Sequence, residues 1–108
     1  MKLTDLEPSF WGADGREGLG LIFRCPAHPD GGGWQGVPFA NPLDGGPAHV
    51  YDRPRRDGRP YAYWTRIGET METLTLTPSI DVPEQDASGQ RIGSHWHGWI
   101  TTGEVRTG

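Results

Sequence analysis

Apolar residues in this chain come in short bursts set between polar and glycine-rich stretches, and no segment of ten or more residues shows helical periodicity. The run Gly20-Leu21-Ile22-Phe23-Arg24 is brief, apolar and partly β-branched, and predicts a strand that leads into Cys25. Trp34-Gln35-Gly36-Val37-Pro38-Phe39 predicts a second strand. Its proline has no N–H for a ladder and confines it to a sheet edge or a strand end. Tyr61-Ala62-Tyr63-Trp64-Thr65-Arg66-Ile67 predicts another strand. Thr73-Leu74-Thr75-Leu76-Thr77 alternates strictly, so Leu74 and Leu76 face one way and the threonines the other, and Pro78-Ser79-Ile80 ends or bends that strand. Near the end, His97-Gly98-Trp99-Ile100, Thr101-Thr102-Gly103 and Glu104-Val105-Arg106 predict strand, tight turn and strand, with Gly103 at positive φ. Residues 40–60 and 81–93 are polar or rich in Gly and Pro and predict loops. The stretch before Trp11 has room for one helical turn at most, with Trp11 pinning it to the sheet.

This pattern predicts an all-β fold in one domain over residues 1–108: a small, mostly antiparallel sheet or sandwich with long Gly/Pro-rich loops. Composition adds a difficulty. Only 33% of the residues are hydrophobic, and 17 Gly and 10 Pro bring the chain near the range of disordered sequences. Five tryptophans argue against disorder, because such large side chains carry much of a small core. With so few aliphatic residues, Trp34, Trp64 and Trp99 are expected inside. So thin a core calls for a staple.

Two short clusters offer one. Cys25-Pro26-Ala27-His28 and His95-Trp96-His97 hold the only cysteine and three of the four histidines. Residues i and i+2 of a strand share a face, so His95 and His97 can address one ion, and a Cys-x-x-His turn can do the same from a loop. One thiolate and three imidazoles suit tetrahedral zinc and are too soft for magnesium or calcium. The predicted set is Cys25, His28, His95 and His97 around one structural zinc, with His49 as a spare that replaces one of them or stays free. Such an ion contributes on the order of 10 kcal/mol of coupled folding free energy. The plainer alternative makes Cys25 a small buried hydrophobe and the histidines strand residues satisfied by hydrogen bonds.

Charge and targeting signals narrow the function classes. One cysteine excludes an intramolecular disulfide, Met1-Lys2-Leu3-Thr4-Asp5 carries no apolar leader, and no run approaches a membrane span. A soluble cytoplasmic protein, away from membranes, is the expectation. A net charge of -4 gives no global attraction to nucleic acid. The segment 51–64 is a local exception, where Arg53, Arg55, Arg56 and Arg59 interleave with Tyr61 and Tyr63. This segment is a candidate partner-binding site, for an acidic protein or for phosphates and bases. Asp52 and Asp57 dilute its charge. Ser79 has no histidine base nearby in sequence, which argues against a serine nucleophile. Gly31-Gly32-Gly33 precedes no Lys-Ser/Thr and is slack rather than a phosphate loop.

The Cys-Pro knuckle, the segment Thr73-Leu74-Thr75-Leu76-Thr77-Pro78-Ser79-Ile80 and the hairpin His97-Gly98-Trp99-Ile100-Thr101-Thr102-Gly103-Glu104-Val105 together resemble a family of small proteins of unknown function from tailed phages and prophages. In that family an L-[ST]-P-S segment precedes a Cys/His-His-x-aromatic-Ile/Val-x-x-Gly hairpin. Relatives often carry two cysteines in the knuckle and one before the hairpin histidine. Here His28 takes the second knuckle position, and His95 or Trp96 stands near the later one. The resemblance implies a zinc-binding β domain of phage origin in a bacterial host and brings no activity with it. The resulting expectation is a non-catalytic accessory or protein-interaction module that binds a host or virion protein. One alternative is a metalloenzyme in which one ligand is replaced by water and Glu104, Asp81 or Glu84 supplies acid–base chemistry. The other is a nucleic-acid-binding module built on 51–64.

Overall fold

The structure, a computed structural model, describes residues 1–29, 33–55, 60–85, 87–88 and 91–108. One turn of 3-10 helix (Leu3–Leu6) precedes seven strands: β1 (Ser9–Ala13), β2 (Arg16–Arg24), β3 (Trp34–Pro38), β4 (Thr65–Ile67), β5 (Thr75–Gln85), β6 (Arg91–Thr101) and β7 (Glu104–Thr107). They form two antiparallel sheets of order β1-β2-β3 and β4-β5-β6-β7. The all-β expectation holds, and among the described residues no helix is long and apolar enough to cross a membrane.

Period-two alternation decides what lies between the sheets. On β2, Leu19, Leu21 and Phe23 point inward, and Cys25 continues the row, all fully buried. Cross-strand pairing of Leu21 with Val37 puts Val37 on the same face. From the second sheet come Leu74, Leu76, Ile80, Trp96, Ile100 and Val105, and the helical turn adds Leu3 and Leu6 to one shared cluster. Phe23 meets Trp96 edge-on across the two sheets, with ring centroids 6.3 Å apart. The sheets also touch along one margin, where Phe39 and Trp64 form a parallel bridge. Gly103 has φ 74°, as its turn requires, and the Leu74/Leu76 alternation is as expected.

Several expectations need correction. Trp34 and Trp99 are not core residues: they are 49% and 41% exposed, and Trp96 is the buried indole. Alternation explains both. Trp34 pairs with Arg24 on the outer face of its sheet, where the guanidinium lies 4.2 Å from the ring centroid, and Trp99 lies one residue out of phase with Trp96 and Ile100. Trp64 is partly buried and packs against the core. Residues 81–85 and 91–93, expected within a loop, are strand: β5 and β6 run on as a ribbon whose backbones pair as far as Gln85↔Arg91. Ladder pairing runs through backbone groups that every residue carries, so the polar sequence of this ribbon gave no strand signal. Strand β1 went unpredicted, and β2 begins at Arg16, because glycines 12, 18 and 20 interrupt the apolar pattern. The third predicted strand shortens to Thr65–Ile67, since 61–63 leave the ladder.

Residues 40–55 carry no strand and are tied down by side chains. Arg16 holds Asp44 with two hydrogen bonds, of 2.7 and 2.9 Å, and the Gly46 N–H adds a third at 2.9 Å. The Arg16 guanidinium, and then the Gly46 amide, hold the Asp44 carboxyl at about 2, below its ordinary value. A depressed carboxylate stabilises the fold above its unfolded pKa of about 4 and loses that contribution as pH falls through the folded value. The melting temperature of wild type should therefore drop more steeply than that of Asp44→Asn between about pH 4 and about pH 2. Parallel slopes in that window would show that the pair anchors nothing.

Candidate functional site

The two halves of the predicted metal set arrive from different sheets. Cys25 directly follows β2, and the turn there closes with the His28 N–H donating to the Cys25 carbonyl at 2.9 Å. This carries His28 out to solvent and against His95 of β6, with ring centroids 5.1 Å apart and planes tilted by 36°. Two imidazoles sharing one tetrahedral zinc at about 2.0–2.1 Å per bond stand about 5 Å apart by centroid, which is the separation of this pair. The other two predicted ligands do not join it. Cys25 is fully buried among the core residues, and among the described residues no group of three or more His, Cys, Asp and Glu is placed to hold a metal.

His97 shares the outer face of β6 with His95 but is turned across the sheet. Its Nε2 lies 3.1 Å from Ser79 Oγ on β5, its Nδ1 lies 3.3 Å from the Gly108 oxygen, and its ring packs against Trp99 at 5.0 Å. The Gly108 oxygen can only accept, so in the neutral ring Nδ1 carries the proton and Nε2 accepts the Ser79 O–H. The sequence separation of 18 hid this Ser–His contact. Both ring nitrogens and the hydroxyl serve to tie β5, β6 and the residue after β7 together. Glu104 sits 3.6 Å from the amino group of Met1, far along the sheet from the His28/His95 pair in register.

A different assembly of aromatic residues borders the gap between the sheets. His49 packs edge-on between Trp11 and Tyr51, at 5.6 and 4.8 Å, and Tyr51 stacks flat on Tyr61 at 3.9 Å with planes 11° apart. Tyr63 stands 6.5 Å from Tyr51, and its hydroxyl donates to the His49 carbonyl at 2.6 Å, which fixes the return of the loop. The spare histidine thus belongs to this ladder and not to the metal pair. Tyr51, Tyr61, Arg55 and Trp64 line a cleft of about 420 Å³, walled on one side by residues 35–38 and on the other by residues 78–82. Burial, with the neighbouring Tyr63 and Tyr61 phenols, raises the Tyr51 pKa, so its hydroxyl stays a neutral donor at physiological pH.

Of the predicted partner-binding residues, Arg55 and Tyr61 come together at the cleft. Tyr63 packs near Tyr51 without lining the cleft, Arg53 is exposed and does not line it, and Arg56 and Arg59 lie outside the described residues. Tyr51 and Trp64, the two ends of the predicted 51–64 segment, both line the cleft, whereas the β3 edge was missed as part of the site. Only the return of a long loop across a sheet brings Tyr51 to Tyr61, and no local periodicity encodes that. The chain matches no known family, no curated protein and no solved structure.

Proposed function

We propose that this chain is a non-catalytic protein-interaction module, of the accessory kind that phages and prophages carry, and that it docks a segment of a partner protein in the aromatic cleft. The observation that carries this reading is the Tyr51–Tyr61 stack standing at the mouth of a cleft of about 420 Å³. Stacked tyrosines give a rigid, amphipathic contact surface that loses little entropy on binding. Nucleic-acid binding is less well supported. The two rings best placed to stack on bases already stack on each other, and the chain carries a net charge of -4. Catalysis is also less well supported, since the Ser79–His97 contact has both ring nitrogens engaged in holding strands together.

One zinc remains part of the proposal, with a structural role and with His28 and His95 as its first two ligands, in keeping with their 5.1 Å separation. A zinc there would pin the end of β2 to β6 and so steady the wall opposite the cleft's aromatic side.

One preparation tests both parts. Tag-free protein carrying benzoylphenylalanine at position 61, produced in its bacterial host and irradiated, is expected to give a discrete protein adduct that Tyr51→Ala abolishes. Elemental mass spectrometry of the same protein is expected to find about one zinc per chain, lost on His95→Ala. A photoadduct indifferent to Tyr51 would remove the docking cleft, and a metal-free wild type would remove the zinc.

A further inference from the structure

Strand edges expose unpaired N–H and C=O groups, and small sheet proteins normally cover or distort them. This fold does so at three places. Along β7, the Val105 N–H donates to the Met1 carbonyl at 2.7 Å and the Met1 amino group donates to the Val105 carbonyl at 3.2 Å. Along β4, the Asn41 side chain stands in for a strand: its amide donates to the Arg66 carbonyl at 2.8 Å and its oxygen accepts the Arg66 N–H at 2.7 Å. The β1 edge is bulged between Trp11 and Ala13.

Two edges are treated differently. The Phe39 N–H bonds the Leu19 carbonyl and the Cys25 N–H bonds the Gly33 carbonyl, which fixes the ladder phase: Gln35, Val37 and Phe39 pair with β2, and Trp34, Gly36 and Pro38 point their backbone groups the other way. Pro38 has no N–H, and its carbonyl takes the Trp64 N–H at 2.9 Å. Among the described residues the outward N–H and C=O of Gly36 have no partner. On the other sheet, β4 covers β5 only as far as Thr77. Beyond it the Ser79 carbonyl turns outward and accepts the Trp64 indole N–H at 3.2 Å.

The unpaired backbone of Gly36 and the stretch of β5 beyond β4 border the same cleft. Consecutive residues 35–38 and consecutive residues 78–82 form its walls. A cleft crossing a sheet face would be lined by alternate residues, so this one runs along strand edges. It occupies the place of a strand between β3 and β5.

We propose that the cleft is a slot for one extended strand of a partner polypeptide, which pairs through its main chain with Gly36 of β3. This rests on the reading of the cleft as a docking site and specifies what docks and how. The occupant is a segment free of proline at its paired positions. It alternates β-branched apolar residues, facing Val37 and Ile80, with polar residues that meet the Tyr51 and Tyr61 hydroxyls. Glycine at position 36 suits this role: a Cβ there would meet open space, so the glycine is not needed for internal packing and lets a second backbone approach closely.

The test uses a phage-displayed library of random decapeptides selected against the full chain. The tightest peptides are then synthesised with and without N-methyl groups at alternate residues. Binding is expected to fall at least about tenfold for one phase of N-methylation and for Gly36→Pro, while the Gly36 amide of wild type gains hydrogen-exchange protection in the complex. The proline removes an N–H that β2 does not use, so its melting temperature should stay near that of wild type. If that variant fails to fold, the N-methyl series on wild type decides alone. Peptides that need Tyr61 but ignore both N-methylation and Gly36→Pro would overturn strand addition and leave the docking cleft standing. A selection yielding no peptide sensitive to Tyr61→Ala would overturn both.

Discussion

Phe23→Ala is expected to cost about 3–5 kcal/mol, the range for truncating a fully buried aromatic. Phe23 has no exposed surface and meets Trp96 across the two sheets at 6.3 Å. The void would not close easily, because Trp96 is held by its indole N–H, which donates to Thr107 Oγ1 at 3.0 Å, and cannot swing into the space. For a domain whose total stability is about 5–15 kcal/mol, that loss takes a large share. Urea unfolding should show the midpoint falling by about a fifth or more with little change in slope. A loss below about 1.5 kcal/mol would mean that the two sheets do not share a core through this contact.

Gly98→Val is expected to destabilise by about 2–3 kcal/mol for the opposite reason. Gly98 faces the core from β6, and a Cβ there would run into the Arg106 carbonyl oxygen of β7 and the outer ring of Trp96. One obstacle is backbone in a ladder and the other a hydrogen-bonded indole, so neither can retreat without breaking pairing. Gly36→Ala is the control, because its Cβ meets nothing within 4 Å. Thermal melts should separate the pair clearly. Equal melting temperatures for the two variants would contradict the packing of β6 on β7.

Much of this fold was legible in the sequence where alternation and turn chemistry coincide. Thr73–Thr77 announced its buried Leu74 and Leu76, Pro38 announced an edge, and Gly103 announced the last turn. What escaped were features whose cause is not local. The arms of the β5–β6 ribbon pair despite a polar sequence, β1 owes its existence to β2, and Trp34 and Trp99 face outward because phase, not hydrophobicity, assigns a strand residue its side. The same limit governs the site. The clusters at Cys25–His28 and His95–His97 were visible, yet only His28 and His95 meet, since Cys25 completes an inward row on β2 and His97 is drawn to Ser79. Tyr51 and Tyr61 are ten positions apart, and only the path of the loop brings them face to face.

Both sheets are meanders, in which every strand lies beside its neighbours in sequence. For folding kinetics this arrangement matters more than strand content. Hairpins close short loops and form in about 1–10 μs, whereas contacts between distant segments must first overcome the entropy of long closures. Here each sheet can assemble from one hairpin to the next. The slow event is expected to be the meeting of two preformed faces across the connection between β3 and β4, when Phe23 first finds Trp96. The rate of folding should therefore be governed by that connection's length and by the bridge at Phe39 and Trp64 that closes it.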